Sequence, residues 1–148
     1  MIDELTKAWA AGLFDGEGSA LIEKTGPDRK SNQIIVSIAG TSAKMSGKVM
    51  PLWGGVFRKN RDLSQLNPGT KTTKADHTIY FRDLSQALSF LQDIQPYLIV
   101  KYNETEVVIE AIRVVLDFRN TYGQSAHGYS RLLDGHYEKL KTVREACR

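Results

Sequence analysis

Trp9-Ala10-Ala11-Gly12-Leu13-Phe14-Asp15-Gly16-Glu17-Gly18 is the stretch that decides how this 148-residue chain is read. An apolar segment of small residues runs straight into two carboxylates fenced by glycines. Ala8, Ala11 and Gly12 would let a second helix approach closely. Gly16 and Gly18 are expected to end the helix, because glycine reaches backbone conformations closed to other residues. The acids then stand at the foot of a tightly packed helix, where a strand begins. Carboxylates so placed can hold a divalent cation against a phosphate.

Working outward, the spacing predicts a helix over 3–14, capped by Asp3, with Leu5, Ala8, Trp9, Gly12 and Leu13 on one face. Residues 19–25 alternate, Ala20 and Ile22 on one side against Ser19, Leu21, Glu23 and Thr25 on the other. Gly26-Pro27-Asp28 signals a turn. A second strand follows, with Ile34, Val36 and Ile38 toward the core and Gln33, Ile35, Ser37 and Ala39 away from it. Thr41-Ser42 caps a helix over 43–52. Strands are expected over 56–60 and 77–82, separated by a long polar turn over 61–75, with Ile79 and Phe81 inward. Asp83 caps a third helix bearing Leu84, Ala87, Leu88, Leu91 and Ile94. Two more helices are expected, over 103–118 and 129–147, joined by a loop over 119–128. The fold class is therefore α+β, a four-stranded antiparallel sheet with helices on one face, followed by C-terminal helices.

Composition is that of an ordinary folded chain, with 41% hydrophobic and 25% charged residues. The net charge of +3 and a pI of about 9.0 are a modest basic bias compatible with nucleic acid. A lone cysteine, Cys147, rules out a disulfide framework. No His/Cys cluster points to structural zinc. With no membrane-length apolar run and no signal-peptide pattern, the chain reads as intracellular.

Positions 10–18 resemble the nine-residue LAGLIDADG motif of homing endonucleases. Ala11, Gly12, Leu13, Asp15 and Gly18 match it outright. Phe14 stands for an aliphatic residue, Gly16 for alanine, Glu17 for the second aspartate and Ala10 for the leading leucine. The expected element order over 3–118 is also the family's αββαββα core, which makes 119–148 a helical extension of one domain. The resemblance implies a site-specific endonuclease that hydrolyses both strands of a long, near-palindromic DNA site, cutting across the minor groove to leave short 3′ overhangs. It assigns Glu17, with Gly16 beside it, to the metal position, and Mg2+ is the expected cofactor, with Mn2+ or Ca2+ able to occupy the same place. Lys101, at the end of Gln95-Pro96-Tyr97-Leu98-Ile99-Val100-Lys101, falls on the family's catalytic lysine. Ser42 falls on a position that orients active-site water. Each has a plainer reading, a solvated lysine and a helix cap.

One motif supplies one carboxylate, too few for a complete metal site, so a homodimer is expected. Its interface would hold Ala8, Trp9, Ala11, Gly12 and Asp15, and Asp15 alone reads better as a hydrogen-bond acceptor than as a ligand. The family's open sheet face covers a DNA major groove. Here that face would present Leu21, Glu23, Thr25, Gln33, Ile35, Ser37 and Ala39, then Arg58, Asn60, Thr78, Tyr80 and Arg82. Lys24, Arg29, Lys30, Lys71 and Lys74 would meet phosphates. A rival reading keeps the fold without the nuclease, as an intron maturase or a transcriptional regulator.

Overall fold

The computed structural model describes residues 1–59, 77–123 and 128–147. Asn60, Lys71 and Lys74, together with the expected turn over 61–75, lie outside these. The elements run α1 (Glu4–Glu17), β1 (Gly18–Thr25), β2 (Ser31–Thr41), α2 (Ala43–Trp53), β3 (Val56–Lys59), β4 (His77–Tyr80), α3 (Leu84–Ile94), a 3-10 turn (Gln95–Tyr97), α4 (Tyr102–Tyr122), a second 3-10 helix (Gly128–Leu133) and α5 (Asp134–Ala146). The strands form one antiparallel sheet in the order β1-β2-β4-β3. None of the described helices is long and apolar enough to cross a membrane.

Helix starts follow local capping. The Asp3 carboxylate accepts from the Thr6 amide at 2.8 Å, and Asp83 accepts from the Ser85 and Gln86 amides. Those bonds satisfy amides that have no partner inside the helix. Alternation in the strands does the rest. Ala20, Ile22, Val36, Ile38, Ile79 and Phe81 are buried beneath the helices. Phe90 of α3 is the hub of that core. Its ring stacks on Phe81 at 4.5 Å and meets Trp53 and Phe14 edge-on at 5.2 and 5.7 Å, geometries that favour the ring quadrupoles. Leu133 and Leu140 are buried in the same core, so the C-terminal elements pack with the rest. α4 continues to Tyr122, across the boundary expected near 119.

The helix-ending glycines are corrected by the structure. α1 runs through Gly16 to Glu17, and Gly18 opens β1 in ordinary extended backbone, φ −84° and ψ 160°. Gly18 is required for space instead. A Cβ there would stand 2.1 Å from the Phe14 ring, and Phe14 is fully buried. A helix can thus pass into a strand with no loop between them.

At the far end of the hairpin, Asp134 holds the C-terminal helix to β1 and β2. Hydrogen bonds from Lys24 and then Asn32 hold its carboxyl below the usual carboxylate range. Because the folded value is lowered, this contribution is present at neutral pH. It is lost as the pH falls from the ordinary carboxylate range through the lowered value.

Gly18→Ala is expected to destabilise the fold by about 1–3 kcal/mol or more, since a core ring must move. The midpoint of denaturant unfolding measures it, and an unchanged midpoint would contradict the packing account.

Candidate nucleic-acid interface

The C-terminus of α1 and the segment before α4 hold each other by exchanged hydrogen bonds. The Asp15 carboxylate accepts from the backbone amides of Ile99 (2.8 Å), Val100 (3.3 Å) and Lys101 (2.9 Å). In return Lys101 Nζ donates to the carbonyl oxygens of Phe14 (3.0 Å) and Asp15 (2.8 Å). These carbonyls belong to the last turn of α1, the negative end of its dipole, so an ammonium there is favourable. Glu17 follows immediately and is exposed. One of its oxygens lies 3.3 Å from the point a Cβ on Gly40 would occupy. Gly40 has φ +65° and sits where the β2–β4 register shifts. A glycine bulge is the device that lets backbone pass this close to a carboxylate. Ser42 stands two residues on, exposed, its Oγ accepting from the Met45 amide at 3.3 Å as the cap of α2. Glu17 and Gly40 thus lie side by side at the foot of α1, Gly40 two residues before the cap of α2, and Lys101 is bonded to the turn that precedes Glu17.

The face of the sheet away from the helices is the larger part of the candidate interface. Leu21 pairs with Ile35 and Glu23 with Gln33 across β1 and β2. Ser37 pairs with Tyr80, and Tyr80 in turn with Val56. Arg58 and Arg82 are exposed on this side, as are Glu23, Gln33 and Ala39. A cleft of about 400 Å³ is lined by Gln33, Ile35, Tyr80 and Arg82 among others. Apolar, amide and guanidinium groups therefore share one open surface.

Several expected residues fall elsewhere. Thr78 lies on the open side by alternation, but only 4% of its surface is accessible, so it is not part of the contact face. Ser37 is nearly as covered, at 9%, because β2 is a central strand flanked on both sides. Lys24 points to the helix side. Its ammonium bonds Asp134 at 2.6 Å and lies 4.9 Å from the centre of the Tyr137 ring, so it is not a phosphate contact. Ala11 is fully buried in the chain's own core and cannot line a surface for a second copy. Asp15 directs its carboxylate into its own chain, as described above, rather than into an interface. Trp9 is half-buried with the Lys48 ammonium 4.5 Å from its ring centre. Arg29 and Lys30 are exposed at the hairpin tip.

What remains on the outer side of α1 is a stripe of Leu5, Ala8, Gly12 and Gly16. Leu5 is 82% exposed, and nothing lies within 4 Å of a Cβ built on Gly12 or Gly16. Sequence reasoning missed Val56, which is also exposed on the open face by its pairing with Tyr80. It also missed Gly40, although a glycine inside a strand is itself a bulge signal.

Glu17 offers hard oxygens in an open position, which fits magnesium or calcium. Among the described residues, no three His, Cys, Asp or Glu side chains cluster as a metal cage. Magnesium keeps several waters and takes phosphate oxygens, so one protein carboxylate fits a site completed by other groups.

The fold defined by these elements is that of the LAGLIDADG homing endonucleases. Over 94% of this chain and 84% of the other it is similar to the archaeal intron-encoded homing endonuclease I-Vdi141I complexed with DNA, with a TM-score of 0.66 and 14% identity. It is similar to the homing endonuclease I-CvuI, complexed with its target in the presence of calcium, over 95% and 82% of the two chains, with a TM-score of 0.64 and 15% identity. All of this chain matches 49% of the I-SmaMI LAGLIDADG homing endonuclease bound to cleaved DNA, with a TM-score of 0.52 and 13% identity. No protein-family profile matches the chain, nor does any curated protein.

Asp15→Ala removes the acceptor of three amides and should cost about 1–3 kcal/mol. Hydrogen exchange at Ile99, Val100 and Lys101 should quicken with it. Unchanged exchange at those amides would refute the clasp.

Proposed function

We propose that this chain is a site-specific DNA endonuclease of the homing type. It acts as two identical copies on a long, near-palindromic duplex and hydrolyses both strands with magnesium. The observation that carries this reading is that Glu17 ends the same turn of α1 whose carbonyls hold Lys101, beside a sheet face that the chain's own helices leave open. Its neighbours in fold support it, since those solved on DNA are homing endonucleases.

The open face reads bases. A two-stranded antiparallel ribbon fits the major groove, where arginine pairs with guanine and glutamine with adenine. Arg58, Arg82 and Gln33 are the side chains for that task. Glu23 suits the cytosine amino group, and Leu21, Ile35 and Val56 suit thymine methyls. Arg29 and Lys30 suit phosphates.

At the foot of α1, Glu17 and the adjacent Gly16 backbone would hold the cation, Mg2+ by preference and Mn2+ or Ca2+ in its place. When bound, such an ion supplies an activated water and offsets phosphate charge. Lys101 has three donors, and two of them are fixed on the Phe14 and Asp15 carbonyls. The third can meet a phosphate oxygen from a preset position, with no reorganisation at the moment of reaction. Ser42 Oγ accepts from Met45, which leaves its O–H to orient a water. A second copy packed along the Leu5, Ala8, Gly12 stripe would bring a second Glu17 alongside the first, one for each strand, and a two-fold protein matches a two-fold target.

Glu17→Gln keeps shape and removes charge. Cutting should fall by several orders of magnitude while affinity for the target survives. Binding and cleavage of one target are measured for both proteins, with magnesium and with chelator. Undiminished cutting by Glu17→Gln would overturn the metal assignment. Specific binding by the native chain with no cutting would favour a regulator or splicing helper on the same fold.

Gly12→Leu should fill the space a second α1 needs, leaving a monomer in sedimentation at micromolar concentration. A native chain that is itself a monomer on DNA would contradict the two-copy reading.

A further inference from the structure

The β1–β2 hairpin outruns the rest of the sheet. β4 pairs with β2 only at Ser37, Ile38 and Thr41, and the Phe81 amide donates to the Val36 carbonyl. Beyond that point, 31–35 of β2 and their partners 21–25 on β1 form a two-stranded arm. At the rise of a strand its length is about 16 Å. Two strands alone are marginal in water and twist more than a wide sheet, so the arm needs support from elsewhere.

The C-terminal segment supplies it through the inward positions Lys24 and Asn32. Lys24 and Asn32 are cross-strand partners, and both donate to one oxygen of Asp134, at 2.6 and 2.8 Å. The Asn32 backbone N–H donates to Ser130 Oγ at 2.7 Å, and its side-chain amide donates to the Ser130 carbonyl at 2.6 Å. Asn32 itself is 4% exposed, while its partner Asp134 stands at the surface. Arg144, paired with Glu104 at 3.2 Å, reaches the Ala20 carbonyl of β1 at 3.4 Å. The opposite side of the same arm carries Glu23 and Gln33, with Arg29 and Lys30 at its tip.

We propose that residues 128–146 are a strut that fixes the angle of this arm, so that Asn32, Ser130 and Asp134 decide how sharply the outer base pairs are read while touching no DNA themselves. The specificity half of this inference rests on the DNA-reading face proposed above. The lever arithmetic favours it. A tilt of about 10° at the root of an arm of about 16 Å moves the tip by about 3 Å. A bidentate contact to a base edge tolerates far less than that. The three are positioning residues, distinct from Gln33 and Glu23, which would meet the bases.

The test compares the full-length native chain with Asp134→Ala and Ser130→Ala. Hydrogen exchange of the free proteins comes first. Amides over 23–33 should exchange at least about tenfold faster in both variants, while Ile38 and Ile79 keep their protection. Should Asp134→Ala not fold, Asp134→Asn, which keeps an acceptor for Asn32, should give a smaller acceleration confined to the same arm. Selection from a randomised duplex library comes second. The variants should lose preference at the outer positions and keep it at the inner ones, with non-specific affinity unchanged. Unchanged exchange in the arm would overturn the strut. Faster exchange with an intact outer preference would overturn its role in specificity. A native chain that selects no sequence would overturn the DNA-reading face, and the exchange data would then decide the strut alone.

Discussion

The junction between α1 and β1 contains no connecting residue, and the rest of the structure depends on how that junction is held. Phe14 lies beneath Gly18 with no room for a methyl group between them. Asp15 and Lys101 then tie the same turn to the segment before α4 by mutual donation. A chain that leaves a helix without a loop has little freedom to reorient its last residues. Glu17 therefore inherits its place from groups on both sides: the Phe14 ring within its own helix, and a lysine more than eighty positions away in sequence. A carboxylate at a loop tip would pay more entropy to stay in one place. This one is exposed and still defined by its neighbours.

The sheet divides its labour by the pleat. Even-numbered positions in β1 and β2 bury Ala20, Ile22, Val36 and Ile38, and odd-numbered ones face outward. A one-residue slip would exchange the two faces completely. The helices hold the register from one side, and the same contacts leave the other side open. The hairpin arm extends this logic beyond the sheet proper. There Ile22 and Ile34 still face the core at its root, but the inner positions toward the tip are Lys24 and Asn32, held by hydrogen bonds to the C-terminal segment. Polar support of this kind is directional, so it fixes an angle where an apolar contact would allow sliding.

Charge matters here by placement. The excess of +3 is small, yet Lys24, Lys139 and Arg144 are spent on Asp134, Glu110 and Glu104. Arg29, Arg58 and Arg82 are exposed around the open face and the hairpin tip. Among the described residues, most ion pairs lie on the helical side.

Local sequence determined the elements, their order and their faces. Caps at Asp3, Ser42 and Asp83 and the two-residue alternation of the strands need only near neighbours, so they can be read from the chain. The decapeptide 9–18 also singled out the foot of α1 as the candidate site, because small residues, acids and glycines coincide there. Tertiary structure decided which of those residues face where. Ala11 and Gly12 are adjacent in sequence, but a helix turns about 100° per residue, and only the packing of α3 and the sheet made Ala11 the buried one. Lys24 follows the inward parity of Ala20 and Ile22, but its partner Asp134 lies 110 positions away, which no local pattern encodes. Thr78 alternates outward yet is covered, because β4 is an inner strand with neighbours on both sides. Burial of that kind is a property of the assembled sheet, and it exists only once strands distant in sequence have paired.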